Sequence, residues 1–272
     1  MPEPLLLQKL LNAPVAAAIV ESGFDQVGGY VTAASEVVAL RTPSDLLAAY
    51  GIDASPEFAD VVRFVQPRLA TFSAPSGEAR PWQTFPNGFL LGDSLARVWT
   101  MERTRYPFGA EYWRIRSDGE QKCLSHYAGT ARGWVGARQW RPPSPIVGTM
   151  ARWRGAEFFA DVQTETVLLT MIGDSAPAGF EQVRPGAWSS TVGLPECEIF
   201  ERVFTAALDG VPVRLLRRTG PQAEVLLLSD DPAAAERLQA RLMEPGVYEA
   251  IVDARRLENV QGVENQLAPP NG

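Results

Sequence analysis

The sequence predicts an α+β protein: a helical N-terminal region followed by mostly antiparallel β-sheet built from repeated β-hairpin modules. Three observations point there. Helix-start chemistry is concentrated early, in "RTPSDLLAAYG" and "SPEFADVVRFV". Later segments alternate apolar and polar residues between glycine turns. A set of β landmarks then recurs in the same order.

In order along the chain, residues 5–20 read as a helix broken at Pro14. Thr42 is placed to N-cap a helix that has Pro43 at its first position, Asp45 in its first turn and Gly51 as its stop. The run from Ser55 repeats that Ser-Pro-Glu start. Residues 67–92 are rich in proline, serine and glycine and read as a linker, with "GFLLGDSLARVWTM" feeding strands beyond it. The expected organisation is a helical region with its linker at 1–90, a β region with a diverged first module at 91–149, and module repeats at 150–204 and 205–267.

The repeats rest on matched landmarks. Gly155 and Gly210 precede an alternating strand, then come apolar strands at Val167–Ile172 and Val225–Leu228 and acidic turns at Gly173-Asp174 and Asp230-Asp231. Pro-Gly-x-aromatic turns follow at Pro185 and Pro245, so the offset grows from 55 to 60 residues. In the second copy the connector reads as a short helix capped by Asp231 with Pro232 at its first position. "GAEYW" from Gly109 and "GAEFF" from Gly155 are expected to open equivalent hairpin strands, the first in a diverged third copy. Alternation sets Glu111 on the face of Trp113, which calls for an edge position or an arginine partner.

Charge is unevenly placed. Residues 1–102 carry 6 basic and 11 acidic side chains, residues 103–154 carry 10 and 3, and residues 155–272 carry 9 and 18, giving the overall −7. No acid occurs from Gln121 to Arg154, and residues 103–154 hold four of the seven tryptophans, Trp113, Trp134, Trp140 and Trp153. Arginine and tryptophan are the side chains enriched at interface hot spots. The alternative is that these tryptophans fill a β core and the arginines pair with the acidic flanks. A chain of pI near 5.0 is not a dedicated nucleic-acid binder, so an acidic protein is the expected partner.

Catalytic chemistry is sparse. His126 is the single histidine, with no G-x-S-x-G elbow, P-loop or G-x-G-x-x-G beside it. Cys123 and Cys197 lack zinc spacing and read as reduced thiols. Glu196 and Glu198 in "PECE", with Arg184 and Ser189–Thr191 upstream, are too compressed in sequence for the Arg, Ser-Thr, Glu-x-Glu arrangement of ADP-ribosyltransferases. "AGTARGWVGAR" from Ala128 lacks phosphate-loop spacing and reads as a glycine-rich hairpin turn. No cofactor and no metal are expected. The N-terminus opens on Glu3 and breaks its apolar run with Gln8, Lys9 and Asn12, unlike a secretory leader. No run reaches the roughly 18 apolar residues of a membrane span, and a cytoplasmic location is expected.

The segments "RWRGAEFFADV", "GFEQVRPGAWSSTV" and "DDPAAAERL…EPGVYEAIV" resemble those of actinobacterial immunity proteins, the antitoxins of secreted NAD-hydrolysing toxins of the tuberculosis necrotizing toxin class. The resemblance spans residues 103–265 and includes no catalytic motif. It implies a cytoplasmic protein that blocks the active site of a cognate toxin by occlusion. The residues expected to bind that partner are Arg114, Arg132, Trp134, Arg138, Trp140 and Arg141, with "RQWRPPSP" as a rigid protruding loop. Two other readings stay open: an enzyme acting on a nucleotide or sugar through His126, and an adaptor of a secretion or phage-like assembly.

Overall fold

The computed structural model describes residues 5–50, 52–73, 98–229, 231–244 and 247–267. It is mostly β, 52% strand and 14% helix, with four short α-helices and two large antiparallel sheets among the described residues. This corrects the expected α+β architecture with a helical N-terminal region. The chain divides into two compact units, Met1–Arg141 and Pro142–Gly272.

The first unit contains β1 (Leu6–Leu11), β2 (Gln26–Ala33), β3 (Phe58–Val65), β4 (Phe72–Ser73), β5 (Val98–Arg105), β6 (Glu111–Arg116) and β7 (Gln121–His126). They form a seven-stranded sheet in the order β4-β5-β2-β1-β3-β6-β7. The expected helix over 5–20 resolves into strand β1 and helix α1 (Ala13–Ser22). A short apolar run buried on both faces cannot be told from a helix by its periodicity. Leu7, Gln8, Lys9 and Leu11 are all buried, and the Lys9 ammonium donates to the Tyr30 carbonyl at 3.3 Å. Pro14 does not break the helix but sits in its first turn, where its missing N–H leaves no bond unmade. Asn12 Oδ1 accepts from the Val15 N–H at 2.9 Å, and Gly23, at φ 67°, ends the helix.

The run after Ser55 likewise forms a strand, β3, flanked by β1 and β6. Its Ala59, Asp60, Val61, Val62 and Phe64 are buried, so both faces face packed layers, which suits β-branched residues in a strand. Helices α2 (Ala34–Val37) and α3 (Pro43–Ala49) follow β2. The start of α3 has the expected chemistry, with Thr42 Oγ1 accepting from the Asp45 N–H at 3.2 Å. Val15, Ala16 and Ile19 of α1 pack with Leu7, Val31, Val62, Phe64 and Met101. A separate core joins Leu46 and Ala49 of α3 to Tyr30, Val61, Val98 and Ile115. Gly51 and most of the linker expected at 67–92 lie outside the described residues.

The second unit contains β8 (Thr149–Trp153), β9 (Ala156–Val162), β10 (Thr166–Ile172), β11 (Glu181–Arg184), β12 (Ala187–Gly193), β13 (Glu198–Leu208), β14 (Val211–Thr219), β15 (Gln222–Leu227), helix α4 (Pro232–Arg237), β16 (Arg241–Glu244), β17 (Val247–Asp253) and β18 (Leu257–Gln266). Its eleven-stranded sheet runs β11-β12-β10-β9-β8-β13-β14-β15-β17-β16, and β18 pairs with β13. Two hairpins turn on left-handed residue pairs, Arg154-Gly155 at φ 50° and 79° and Asp209-Gly210 at φ 48° and 79°. Left-handed central residues give the turn a twist that matches antiparallel strands. Asp231 Oδ1 caps α4 through the Ala233 N–H at 2.9 Å, and Ala234, Ala235 and Leu238 pack on Val213, Val225 and Val252.

"GAEYW" and "GAEFF" both open strands, β6 and β9, but in different sheets. β9 follows β8 through a hairpin, whereas β5, which precedes β6, pairs with β2. Glu111 does share a face with Trp113: its Oε2 accepts from the indole N–H at 2.9 Å, and the Arg63 guanidinium lies 5.0 Å from the indole ring.

Candidate functional site

After β7 the chain from Tyr127 to Arg141 runs without regular strands, yet it is tightly tied. Tyr127 and Trp134 form an antiparallel bridge. Beside it the Ala128 N–H donates to the Gly133 carbonyl and the Val135 N–H to the His126 carbonyl, each at 2.9 Å. The loop between them turns on Gly129 and Gly133, at φ 90° and 68°. A small hairpin results, in line with the glycine spacing.

Two tryptophans anchor this loop. Trp134 is buried at 3% exposure, with its ring edge-on to Tyr106 at 5.0 Å and to Tyr127 at 5.5 Å. Its indole N–H donates to the Phe24 carbonyl at 2.9 Å, tying the loop to the end of α1. Trp140 is half-buried and donates to the Thr130 carbonyl at 3.1 Å. Its ring fills the space beside Gly133, where an added Cβ would stand 2.9 Å from the indole Cδ1. Further on, the Arg138 N–H donates to the Val20 carbonyl at 2.8 Å.

What this frame leaves outside is specific. Arg132, Val135, Gly136, Arg138 and Gln139 are exposed. Arg138 keeps an ion pair with Glu21 at 2.8 Å between two exposed side chains. Such a surface pair is worth little and yields easily to a competitor. Arg141 is half-buried, its guanidinium 5.5 Å from the Phe24 ring.

The remaining expected partner-binding residues divide differently. Trp134 is an interior anchor and offers no contact surface of its own. Arg114 is engaged within the sheet: its guanidinium grips Asp60 with two bonds of 2.8 and 2.9 Å and covers the Phe58 ring at 3.8 Å. The bond to Asp60 raises the Arg114 pKa. Asp60 also accepts from the Tyr112 hydroxyl at 2.9 Å, and burial first, then the Asp60 charge, pushes that phenol up to about 12.

"RQWRPPSP" does not protrude beyond Arg141. Pro143 and Ser144 are buried; the Ser144 hydroxyl donates to the Leu216 carbonyl at 2.6 Å, and Arg217 donates to the Pro142 carbonyl at 2.7 Å. The prolines straighten a strap laid along β14, and Ile146 joins the core beneath it.

His126 ends edge strand β7, exposed, directly across from Glu111. Ser125, its neighbour, bonds instead to the Val135 carbonyl at 2.6 Å, so the two side chains serve different faces. Burial, then the Glu111 charge, raises the Cys123 pKa, and burial carries Cys197 up to about 11, so both keep their protons at neutral pH. A protonated thiol is a poor nucleophile. Glu196 and Glu198 are structural: the first accepts from the Gly193 N–H at 2.9 Å and the second from Arg152 at 3.1 Å. Among the described residues no group of three or more His, Cys, Asp or Glu is placed to hold a metal ion.

One cluster has no precedent in the sequence pattern. Arg152 and Arg202 both cover the buried Phe200 ring, at 4.3 and 4.8 Å, and share Glu157 and Glu264. Strands β8, β9, β13 and β18 bring these residues together from distant positions, and only the pairing register could have revealed it.

No protein-family model matches the chain, and neither a curated protein nor a solved structure matches it. The fold and the loop together define a two-unit antiparallel β protein with a tryptophan-anchored, arginine-bearing loop on its first unit. Among the described residues no helix is long and apolar enough to cross a membrane.

Proposed function

We propose that this is a protein-binding module that recognises an acidic protein surface, and that it acts as a cytoplasmic immunity protein occluding the active site of a cognate secreted toxin. One observation carries the reading: Trp134 and Trp140 hold the Gly129–Arg138 loop in place while Arg132 and Arg138 face outward. A loop ordered before binding loses less entropy when it binds, so more of its contact energy appears as affinity. Exposed arginines at its tip add directed donors for carboxylates and speed encounter with an acidic partner. Trp140 and Arg141 supply the half-buried border of that surface. The proposed repetition of the module belongs to the same reading: we take residues 150–204 and 205–267 as two copies of one scaffold.

The test uses the tagged full chain as bait in host lysate supplemented with the host's secreted fraction. The expected result is one stoichiometric toxin-like partner, retained by wild type and lost by the R132E/R138E double variant, with thermal stability unchanged. A partner captured equally by both proteins would contradict the assignment of the loop. If wild type captures no partner, the binding reading fails and H126A becomes the variant to assay for lost activity.

A further inference from the structure

Strand β18 has one partner, β13, and among the described residues nothing pairs with its other edge. An unpaired edge is a template for another strand, and proteins blunt such edges with lysine, proline, bulges or short length. The other sheet edges show these devices. β4, β11 and β16 have 2, 4 and 4 residues. β7 carries Lys122 and a register shift opposite Tyr112 and Trp113. β18 is 10 residues long, with neither lysine nor proline.

Only part of β18 is straight. Asn259, at φ 52°, bulges where the register against β13 shifts, between the pairs Thr205↔Gln261 and Ala207↔Glu258. From Gln261 to Gln266 the pairing is regular. Within this run Gly262 lets the Phe204 ring lie across the strand, because a Cβ there would stand 2.9 Å from Cε1. Val263 is 58% exposed, directly opposite Val203.

We propose that this edge is a docking surface for a second copy of the chain, with residues 261–265 of the two copies pairing antiparallel about a two-fold axis at Val263. A two-fold normal to the sheet keeps each side chain on its own face, so the axis must pass through a residue. At Val263 it sets Val263 against Val263 and Gln261 against Asn265, and it aligns Val203, Val263 and their symmetry mates in one row across four strands. Gly262 then faces Glu264, whose charge is already met by Arg152 at 2.6 Å and Arg202 at 3.2 Å. No carboxylate opposes a carboxylate. An axis at Gln261 would set Glu258 against Glu264, and one at Gly262 would set Val263 against an amide. The contact is small and each copy carries a net −7, so the dimer is weak and strengthens as salt screens the repulsion. This inference is independent of the arginine loop.

Sedimentation velocity across a range of concentrations tests it on the full chain. Wild type should show a reversible monomer–dimer equilibrium that tightens with salt. V263R, which opposes two guanidinium groups at the axis, should weaken it by about tenfold or more, with an unchanged melting temperature because the side chain is exposed. Q261K/N265E places opposite charges across the interface twice and should tighten the dimer at low salt. A wild type that stays monomeric throughout, or a dimer indifferent to V263R, overturns the proposal. A dimer that V263R weakens but Q261K/N265E leaves unchanged overturns the register.

Discussion

Two arginine-bearing regions of this molecule have opposite surroundings. On the second unit, Arg152 and Arg202 lie over Phe200 and are met by Glu157, Glu198 and Glu264. On the first, Arg132 and Arg138 stand exposed on a loop, where Arg138 pairs with the exposed Glu21 at 2.8 Å. Arg132, Arg138 and Arg152 all lie in the same acid-free stretch of sequence, from Gln121 to Arg154. The comparison teaches that a run of basic charge in sequence does not define a basic surface: cross-strand register decides which arginines are drawn into a shared carboxylate network.

The sharpest way to break the comparison is to remove the anchor. W134A empties the contact with Tyr106 and Tyr127 and leaves the Phe24 carbonyl without its donor, and should cost about 3–5 kcal/mol in chemical denaturation. A loss below about 1 kcal/mol would mean that the loop is not held by this residue. Two glycines sharpen the point. Gly133 and Gly136 both have left-handed backbone, at φ 68° and 80°, but only Gly133 has Trp140 against it. G136A should therefore cost only the conformational penalty, about 1–2 kcal/mol, and G133A clearly more, both read from denaturant midpoints.

The carboxylate side of the comparison is tested by acid. The bond from Arg152 holds the Glu264 pKa down at about 2, and the bond from Arg202 lowers that of Glu157, against an ordinary value of 4.5. A depressed carboxylate stabilises the fold above its unfolded pKa and loses that contribution as pH falls through its folded one. Wild-type stability should thus decline from about pH 4.5 toward pH 2, and E264Q should flatten that decline. Identical acid profiles for wild type and E264Q would remove the network from the account. The smallest effect is expected from R132A itself, within about 0.5 kcal/mol of wild type in stability, with its consequence confined to partner capture.

How much of this was legible follows from where each signal is stored. Helices α3 and α4 announce themselves because their caps, Thr42-Pro43 and Asp231-Pro232, are local chemistry. Strands β1 and β3 do not, because "LLQKLL" and "FADVVRFV" are buried on both faces and lose the alternation that marks a half-exposed strand. Pro14, read as a break inside a helix, instead sits in the first turn of one that Asn12 caps, while the helix start read at Ser55-Pro56-Glu57 precedes a strand. The Arg and Trp content of the candidate site was visible, but its division was not. Arg114 is taken up by Asp60, 54 positions away in sequence. Trp134 is claimed by Phe24, 110 positions away. Such partnerships arise only when the sheet assembles.

The central claim is that the Gly129–Arg138 loop is ordered before any partner arrives, and amide hydrogen exchange on the free protein measures that directly. The account predicts slow exchange at Gly133, Val135 and Arg138, whose N–H groups donate to the Gly129, His126 and Val20 carbonyls at 2.7, 2.9 and 2.8 Å. Exchange at those three amides as fast as in an unstructured chain would contradict it.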